Sequence, residues 1–386
     1  MPRAAYETEL CSFNRALNRL DIAEPIATKG ALTKARHKLD HQAFIEINKH
    51  MIDQYHRGFN PIRWNGFFLL AIDGTMMNIP SIPAIAEHFG QWNPRKGDPC
   101  PKARVSQLYD VLNQLTISGL ITPKRLGERE LAAAHCTNLS SEDLILLDRG
   151  YEAFWLFKLI LSCGAHFCAR VSCNKLKIVK QFVRSGDAER IVKLPCSYAS
   201  ARKCAQLDLD KRAIKLRLIR VDLPSGETEV LITSLVDRSA YPLDQFADLY
   251  HQRWPVEEDY KLMKCRLQME NFTGKTVHSV YQDFYAKIIT KNLAAVIIRS
   301  VEGPIKRLTQ GRLHIYKANF TNALAMMRSH VIVLFNRAAT ALTNCVEKLQ
   351  ILIIRVLSEV REGRSLPRKF KKKSRAKFTS AYKPIS

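Results

Sequence analysis

Tyr250, Arg253, Glu257 and Lys264 lie within fifteen residues, Tyr250-His-Gln-Arg-Trp-Pro-Val-Glu-Glu-Asp-Tyr-Lys-Leu-Met-Lys264, at spacings of three, four and seven. On a continuous helix those four positions share one face. A carboxylate among a guanidinium, an ammonium and an aromatic hydroxyl suits metal-assisted phosphoryl transfer: the acid holds a cation and the others hold backbone phosphates. The same residues also make an ordinary solvated helix face, with Arg253 and Glu257 as an i,i+4 ion pair of roughly 0.3–0.5 kcal/mol. Pro255 bears on the geometry, because it has no backbone N–H and disfavours helix at Trp254. An alternative puts Pro255 in the first turn of a helix carrying Glu257 and Lys264, with Tyr250 and Arg253 on a preceding helix or turn.

Two further carboxylates stand at the ends of apolar runs. Gly66-Phe-Phe-Leu-Leu-Ala-Ile72 leads into Asp73-Gly-Thr75, and Leu144-Ile-Leu-Leu147 leads into Asp148-Arg-Gly-Tyr151. Each run is short, nearly all apolar and followed by a turn signal, as expected of a buried strand. A helix is expected from Tyr151 to about Ser162. In an α/β sheet, polar residues at the carboxyl ends of strands line the ligand crevice. Taken singly, each aspartate also reads as turn chemistry, and Asp148 as a helix cap.

In order, Asp-Gly-Thr after one strand, Asp-Arg-Gly-Tyr after another and then Tyr-x2-Arg-x3-Glu-x6-Lys resemble a DDE transposase of the insertion-sequence-four family. The match is carried by Asp73, Asp148, Tyr250, Arg253, Glu257 and Lys264. It runs from about residue 30 to about residue 300. Ala103-Arg-Val-Ser-Gln-Leu-Tyr-Asp-Val-Leu-Asn113 and Gly127-Glu-Arg-Glu-Leu131 look like further family segments. The resemblance implies an α/β (mixed α+β sheet) ribonuclease-H-like catalytic core interrupted by a β-rich insertion. It implies Asp73, Asp148 and Glu257 as catalytic residues and metal ligands, and Mg²⁺ or Mn²⁺, two ions per site, as cofactor. The implied reaction is DNA cleavage at the ends of a mobile element followed by strand transfer. Its partners are double-stranded DNA, at terminal inverted repeats and target, and a second copy of the chain on that DNA. Tyr250, Arg253, Lys264 and Lys261 are then expected to contact DNA. A nuclease without strand transfer and a silent DNA-binding relative remain the alternatives.

The elements that must position these groups divide the chain into five regions: a helical DNA-binding region over 1–60, the first part of the core over 61–171, a β insertion over 172–240, the second part of the core with the glutamate helix over 241–328, and a helical region with a basic tail over 329–386. Within the insertion, Lys177–Val183, Arg190–Leu194, Ile214–Val221 and Glu229–Val236 read as strands, with Leu223-Pro-Ser-Gly-Glu227 as a hairpin turn. Thr28 to Leu39 reads as a basic amphipathic helix with an apolar stripe of Ala31, Leu32, Ala35 and Leu39. Its Lys29, Lys34 and Arg36 are expected at DNA.

Composition agrees with a polyanionic partner. Sixty Lys and Arg against 36 Asp and Glu give a net charge of +24, which favours salt-dependent binding of nucleic acid. The last 26 residues hold ten Lys or Arg and one acid, a tail suited to lie along a DNA backbone or to stay solvated. No apolar run reaches the length of a membrane helix and no signal-peptide core follows Met1, so a cytoplasmic protein without membrane contact is expected. The ten cysteines include no C-x2-C pair, the mark of reduced thiols rather than a zinc site. None of the four tryptophans falls between 172 and 240, where relatives that form a DNA hairpin are expected to stack a flipped base.

Overall fold

The computed structural model describes residues 6–18, 27–93, 98–223, 226–334 and 339–360. Two compact units divide the chain, one formed by residues 52–78 with 89–263 and the other by residues 1–51 with 79–88 and 264–386.

The first of these units is built on a nine-stranded sheet among the described residues: β1 (Phe68–Asn78), β2 (Gln91–Trp92), β3 (Cys100–Asp110), β4 (Leu115–Pro123), β5 (Asp143–Leu147), β6 (His166–Val171), β7 (Glu189–Leu194), β8 (Ile214–Asp222) and β9 (Thr228–Thr233). β3 runs antiparallel to both β1 and β4, while β5 runs parallel to β1 and β6 parallel to β5. The order β4-β3-β1-β5-β6, with three antiparallel strands followed by two parallel ones, is a ribonuclease-H-like core. The sequence reason is plain in β5, whose Asp-Leu-Ile-Leu-Leu is buried at every position, as a strand covered on both faces must be. The helix Phe154–Ser162 covers it with Phe154, Leu156, Phe157 and Ile160, and Phe157 stacks on Phe167 of β6 at 4.4 Å between ring centroids.

The insertion does not form a sheet of its own. β9 pairs antiparallel with β6, β8 with β9 and β7 with β8, so its strands widen the core sheet. Three of the four expected strands are present. The fourth expectation is corrected: Lys177–Ser185 is a helix, because Val179 and Phe182, three residues apart, are the buried pair and Gly186 ends the segment at φ 76. That left-handed backbone is a common helix stop that glycine adopts without strain. A second helix, Tyr198–Gln206, also lies in the insertion. The β8–β9 hairpin is as expected, closed by Gly226 N–H to the Leu223 carbonyl at 2.9 Å, with Pro224 and Ser225 outside the described residues.

The other unit is mainly helical, with one antiparallel strand pair, Ile315–Ala318 with Leu357–Val360. Its long helix Val277–Leu308 packs through Ile297, Val301 and Ile305 against Ala323 and Met327 of Phe320–Leu334 and Leu349 and Ile353 of Ala339–Arg355. The helix Lys29–Lys38 forms where expected, capped by the Thr28 hydroxyl accepting from Ala31 N–H, but none of its residues is buried. The expected apolar stripe is therefore not what docks it. Arg36 does this instead, donating to Gln282 Oε1 at 2.7 Å, Asp283 Oδ1 at 2.8 Å, the Ser279 carbonyl at 3.1 Å and the Thr273 hydroxyl. The basic tail beyond residue 360 lies outside the described residues. Among the described residues no helix is long and apolar enough to cross a membrane, and all ten cysteines are unpaired.

Candidate active site

Asp73 and Asp148 are brought together by register. The parallel β1–β5 ladder ends at Ile72 opposite Leu147, so the two aspartates are the next step on neighbouring strands, whose backbones run about 4.8 Å apart. Asp73 was expected at the end of its strand and is instead internal to it. β1 continues to Asn78 because β3 pairs with it as far as Asn78 opposite Lys102, after β5 has stopped. Asp148 precedes a single 3₁₀ turn, Arg149–Tyr151, and its side chain makes no capping bond there. The following helix starts at Phe154, later than expected. The carboxylate is thus not spent on a helix cap.

Glu257 arrives from the far end of the sequence. Pro255 opens the helix Pro255–Cys265, and Tyr250 ends its run on the preceding helix Gln245–His251, with Arg253 in the turn between. This is the interrupted geometry that proline favours. Arg253 nevertheless keeps its helical relation to Glu257, donating from Nη2 to Oε1 at 2.7 Å. Two contacts pin the glutamate helix to the sheet. Tyr260, one turn beyond Glu257, donates its buried hydroxyl to the Asp73 carbonyl at 2.7 Å. Buried Gln107, register partner of Asp73, donates to Asp259 Oδ2 at 3.1 Å and accepts from the Thr116 hydroxyl at 3.0 Å.

The electrostatics separate the two aspartates. The Asp73 carboxyl is pushed up from 3.8 to about 6, chiefly by burial; the Gly74 backbone N–H and Arg253 oppose the rise, and Glu257 and Asp148 add to it. Burial also acts on Asp148, but the Arg149 backbone N–H and the Arg170 guanidinium outweigh it and hold the carboxyl below its ordinary value. Arg170 reaches Asp148 Oδ1 from Nη2 at 2.8 Å and bridges to Glu229 on β9. Arg253 is nearly buried, with its Nε unbonded.

Three carboxylates that feel one another's charge form a hard, oxygen-only donor set, which fits Mg²⁺ or Mn²⁺ better than zinc. Among the described residues no group of three His, Cys, Asp or Glu side chains is gathered tightly enough to hold an ion as it stands. Two of the carboxylates are closed on arginines, Glu257 on Arg253 and Asp148 on Arg170.

The other expected DNA contacts are placed as follows. Tyr250 is buried with its hydroxyl 3.4 Å from the Leu147 carbonyl, beside Asp148, and burial raises its pKa. Lys264 is half-buried in the last turn of the glutamate helix, while Lys261 is exposed and paired with Glu258. Lys29 and Lys34 are exposed. Arg36 is not available, its guanidinium being committed to the clamp described above. Sequence reasoning missed Tyr260 and Gln107; the only signal was position, Tyr260 lying on the Glu257 face of its helix and Gln107 within the family-like segment 103–113. Tyr198, in the insertion that lacks tryptophan, is 99% exposed.

The Transposase DDE domain family matches residues 67–293, a span that contains all three carboxylates. The transposase InsG of insertion sequence element IS4 from Escherichia coli K12 is 25% identical over 288 residues, 72% of this chain and 64% of that protein. A putative transposase, y4zB, of Sinorhizobium fredii is 29% identical over 170 residues, 42% of this chain and 46% of that one. The chain thus spans less than two thirds of the length of these relatives. A piggyBac transposase synaptic complex with hairpin DNA aligns over 73% of this chain and 57% of its own at a TM-score of 0.40 and 11% identity. The chain belongs to the transposase DDE domain family.

Proposed function

We propose that this chain is a divalent-metal-dependent transposase that cleaves DNA at the ends of an insertion sequence and joins them to target DNA. The observation that carries the reading is the junction at Asp73: β5 ends beside it in register, and the glutamate helix is bonded to its own carbonyl. That junction gathers residues more than a hundred and eighty positions apart. Asp73, Asp148 and Glu257 would hold two Mg²⁺ or Mn²⁺ ions, with Arg170 and Arg253 giving way. Bound ions would supply activation of an attacking oxygen and stabilisation of the departing one.

The chain's own groups do the rest. Arg253 has an unbonded Nε and Lys264 lies seven residues beyond Glu257; both suit backbone phosphates and position the strand to be cut. The Tyr250 ring lies 6.0 Å from the Arg253 guanidinium. In the first reaction water adds to the scissile phosphorus and the P–O3′ bond breaks, leaving a 3′-hydroxyl. That hydroxyl then attacks a target phosphate, forming one P–O bond for each one broken. No covalent protein–DNA bond is required, and Tyr250 is not a nucleophile. Lys29, Lys34 and Lys261 contribute phosphate contacts, and the two element ends are held by a dimer assembled on DNA.

The test is to incubate the protein with Mn²⁺, terminal-repeat DNA and a target plasmid. Joined products support the proposal. Nicks alone would leave a ribonuclease-H-like nuclease, and binding alone a silent DNA-binding protein. Glu257→Ala should abolish nicking and leave DNA binding nearly intact. Normal cutting by that variant would remove Glu257 from the site and turn attention to Glu258.

A further inference from the structure

Tyr151, in Asp148-Arg-Gly-Tyr151, has no part in the chemistry proposed so far. Its side chain is 2% exposed, and its hydroxyl oxygen is buried without a hydrogen-bond partner. Native proteins rarely leave a buried hydroxyl unbonded, and a catalytic role is one of the reasons that explain an exception. The surroundings show which ligand. A methyl group added at Gly74, the residue after Asp73, would stand 3.7 Å from Tyr151 Oη. Asp73, Glu128 and Asp148 all act on the phenol, and Arg253 acts in the opposite sense. The hydroxyl therefore lies amid the site's charges yet bonds none of them. Burial, reinforced by those carboxylates, keeps it in the O–H form.

The Glu128 side chain lies against the same glycine, with Cγ 3.4 Å from that added methyl, and is half exposed and paired with Arg104 at 3.0 Å.

We propose that Tyr151 is a further catalytic residue, whose hydroxyl donates a hydrogen bond to a non-bridging oxygen of the DNA phosphate held at Asp73 and Asp148. The assignment rests on the function proposed above. A phosphate brings several acceptor oxygens and no donor, which is what an unbonded O–H lacks. The phenol gives up no proton and forms no bond to phosphorus. It stabilises charge on the phosphate as the bond to O3′ breaks, in the way of other preorganised donors.

The experiment is Tyr151→Phe in the full chain, measured three ways. Thermal melting of the free protein should be unchanged or higher, since no bond is lost. Single-turnover cleavage of terminal-repeat DNA at saturating DNA and Mn²⁺ should fall by about 10- to 100-fold, with Kd for DNA within about two-fold of wild type. Sulfur placed at the contacted non-bridging oxygen of the scissile phosphate should slow the wild type and have no further effect on the variant. Cleavage at the wild-type rate, or a melting temperature several degrees lower, overturns the assignment. So does a loss of Mn²⁺ affinity without DNA, which would put the hydroxyl on the ion's hydration shell. If the wild type cuts no DNA, the broader reading falls with this one; if the wild type cuts and Tyr151→Phe keeps pace, only this one falls.

Discussion

Asp73→Asn should make the metal-free protein more stable at neutral pH, although it removes a residue central to the proposed chemistry. The Asp73 carboxyl rises from 3.8 to about 6 on folding, with burial the leading cause. At ~1.36 kcal/mol per pH unit, that rise sets about 3 kcal/mol against the ionised form. The group favours folding fully below 3.8, where it is protonated in both states, and loses that advantage as pH climbs through about 6. An asparagine carries no such charge. The gain over wild type should be near zero at pH 3.5 and approach 3 kcal/mol above pH 7, a rise in melting temperature of roughly 6–12 °C for a unit of this size. These figures are upper limits, because the new amide also needs partners. Asp148→Asn should do the opposite, since Arg170 and a backbone N–H hold that carboxyl below its ordinary value. Its stabilisation is present above the unfolded carboxylate value and fades as pH falls through the lower folded one. Melting curves of wild type and both variants from pH 3.5 to 8 are the assay. An Asp73→Asn protein no more stable than wild type at pH 7.5, or two variants shifting in the same direction, would refute the argument.

Four other outcomes follow from individual residues. Tyr260→Phe removes the 2.7 Å bond to the Asp73 carbonyl; it should cost about 1 kcal/mol of stability and slow cleavage without changing the Kd for DNA. Lys29→Ala with Lys34→Ala should reduce the slope of log K against log salt for DNA binding by about 2. Arg36→Met should leave that slope unchanged but raise amide exchange over residues 29–38, because the side chain clamps the helix at Gln282 and Asp283 rather than facing solvent. Mn²⁺ binding should weaken as pH falls through about 6, since Asp73 must lose its proton first; titration calorimetry in two buffers would show the released proton.

The site was legible in the sequence where local rules act alone. Two apolar runs ending near aspartates, and a proline able to open a helix, offered Asp73, Asp148 and Glu257 as candidates, and the ordered family motif singled them out. Non-local contacts decided the rest. Asp73 became internal to its strand because β3 outlasts β5 along β1, a fact of pairing length that neither run encodes. Lys177–Val183 has strand-like composition, yet burial of Val179 and Phe182 on one side made it a helix. Arg36 and Lys34 look alike as basic helix residues, and only the partner helix some 240 positions later tells the clamp from the free charge. The insertion's strands were recognisable, but that they would extend the core sheet through β6 was not.

Three carboxylates binding metal together are the centre of the proposed chemistry. Electron paramagnetic resonance of Mn²⁺ titrated with wild type, Asp73→Asn, Asp148→Asn and Glu257→Gln counts bound ions directly and needs no DNA cleavage. Wild type should bind Mn²⁺, and each substitution should weaken it by at least tenfold while the folded protein persists. Any one variant that binds as the wild type does would take its residue out of the site and contradict the account.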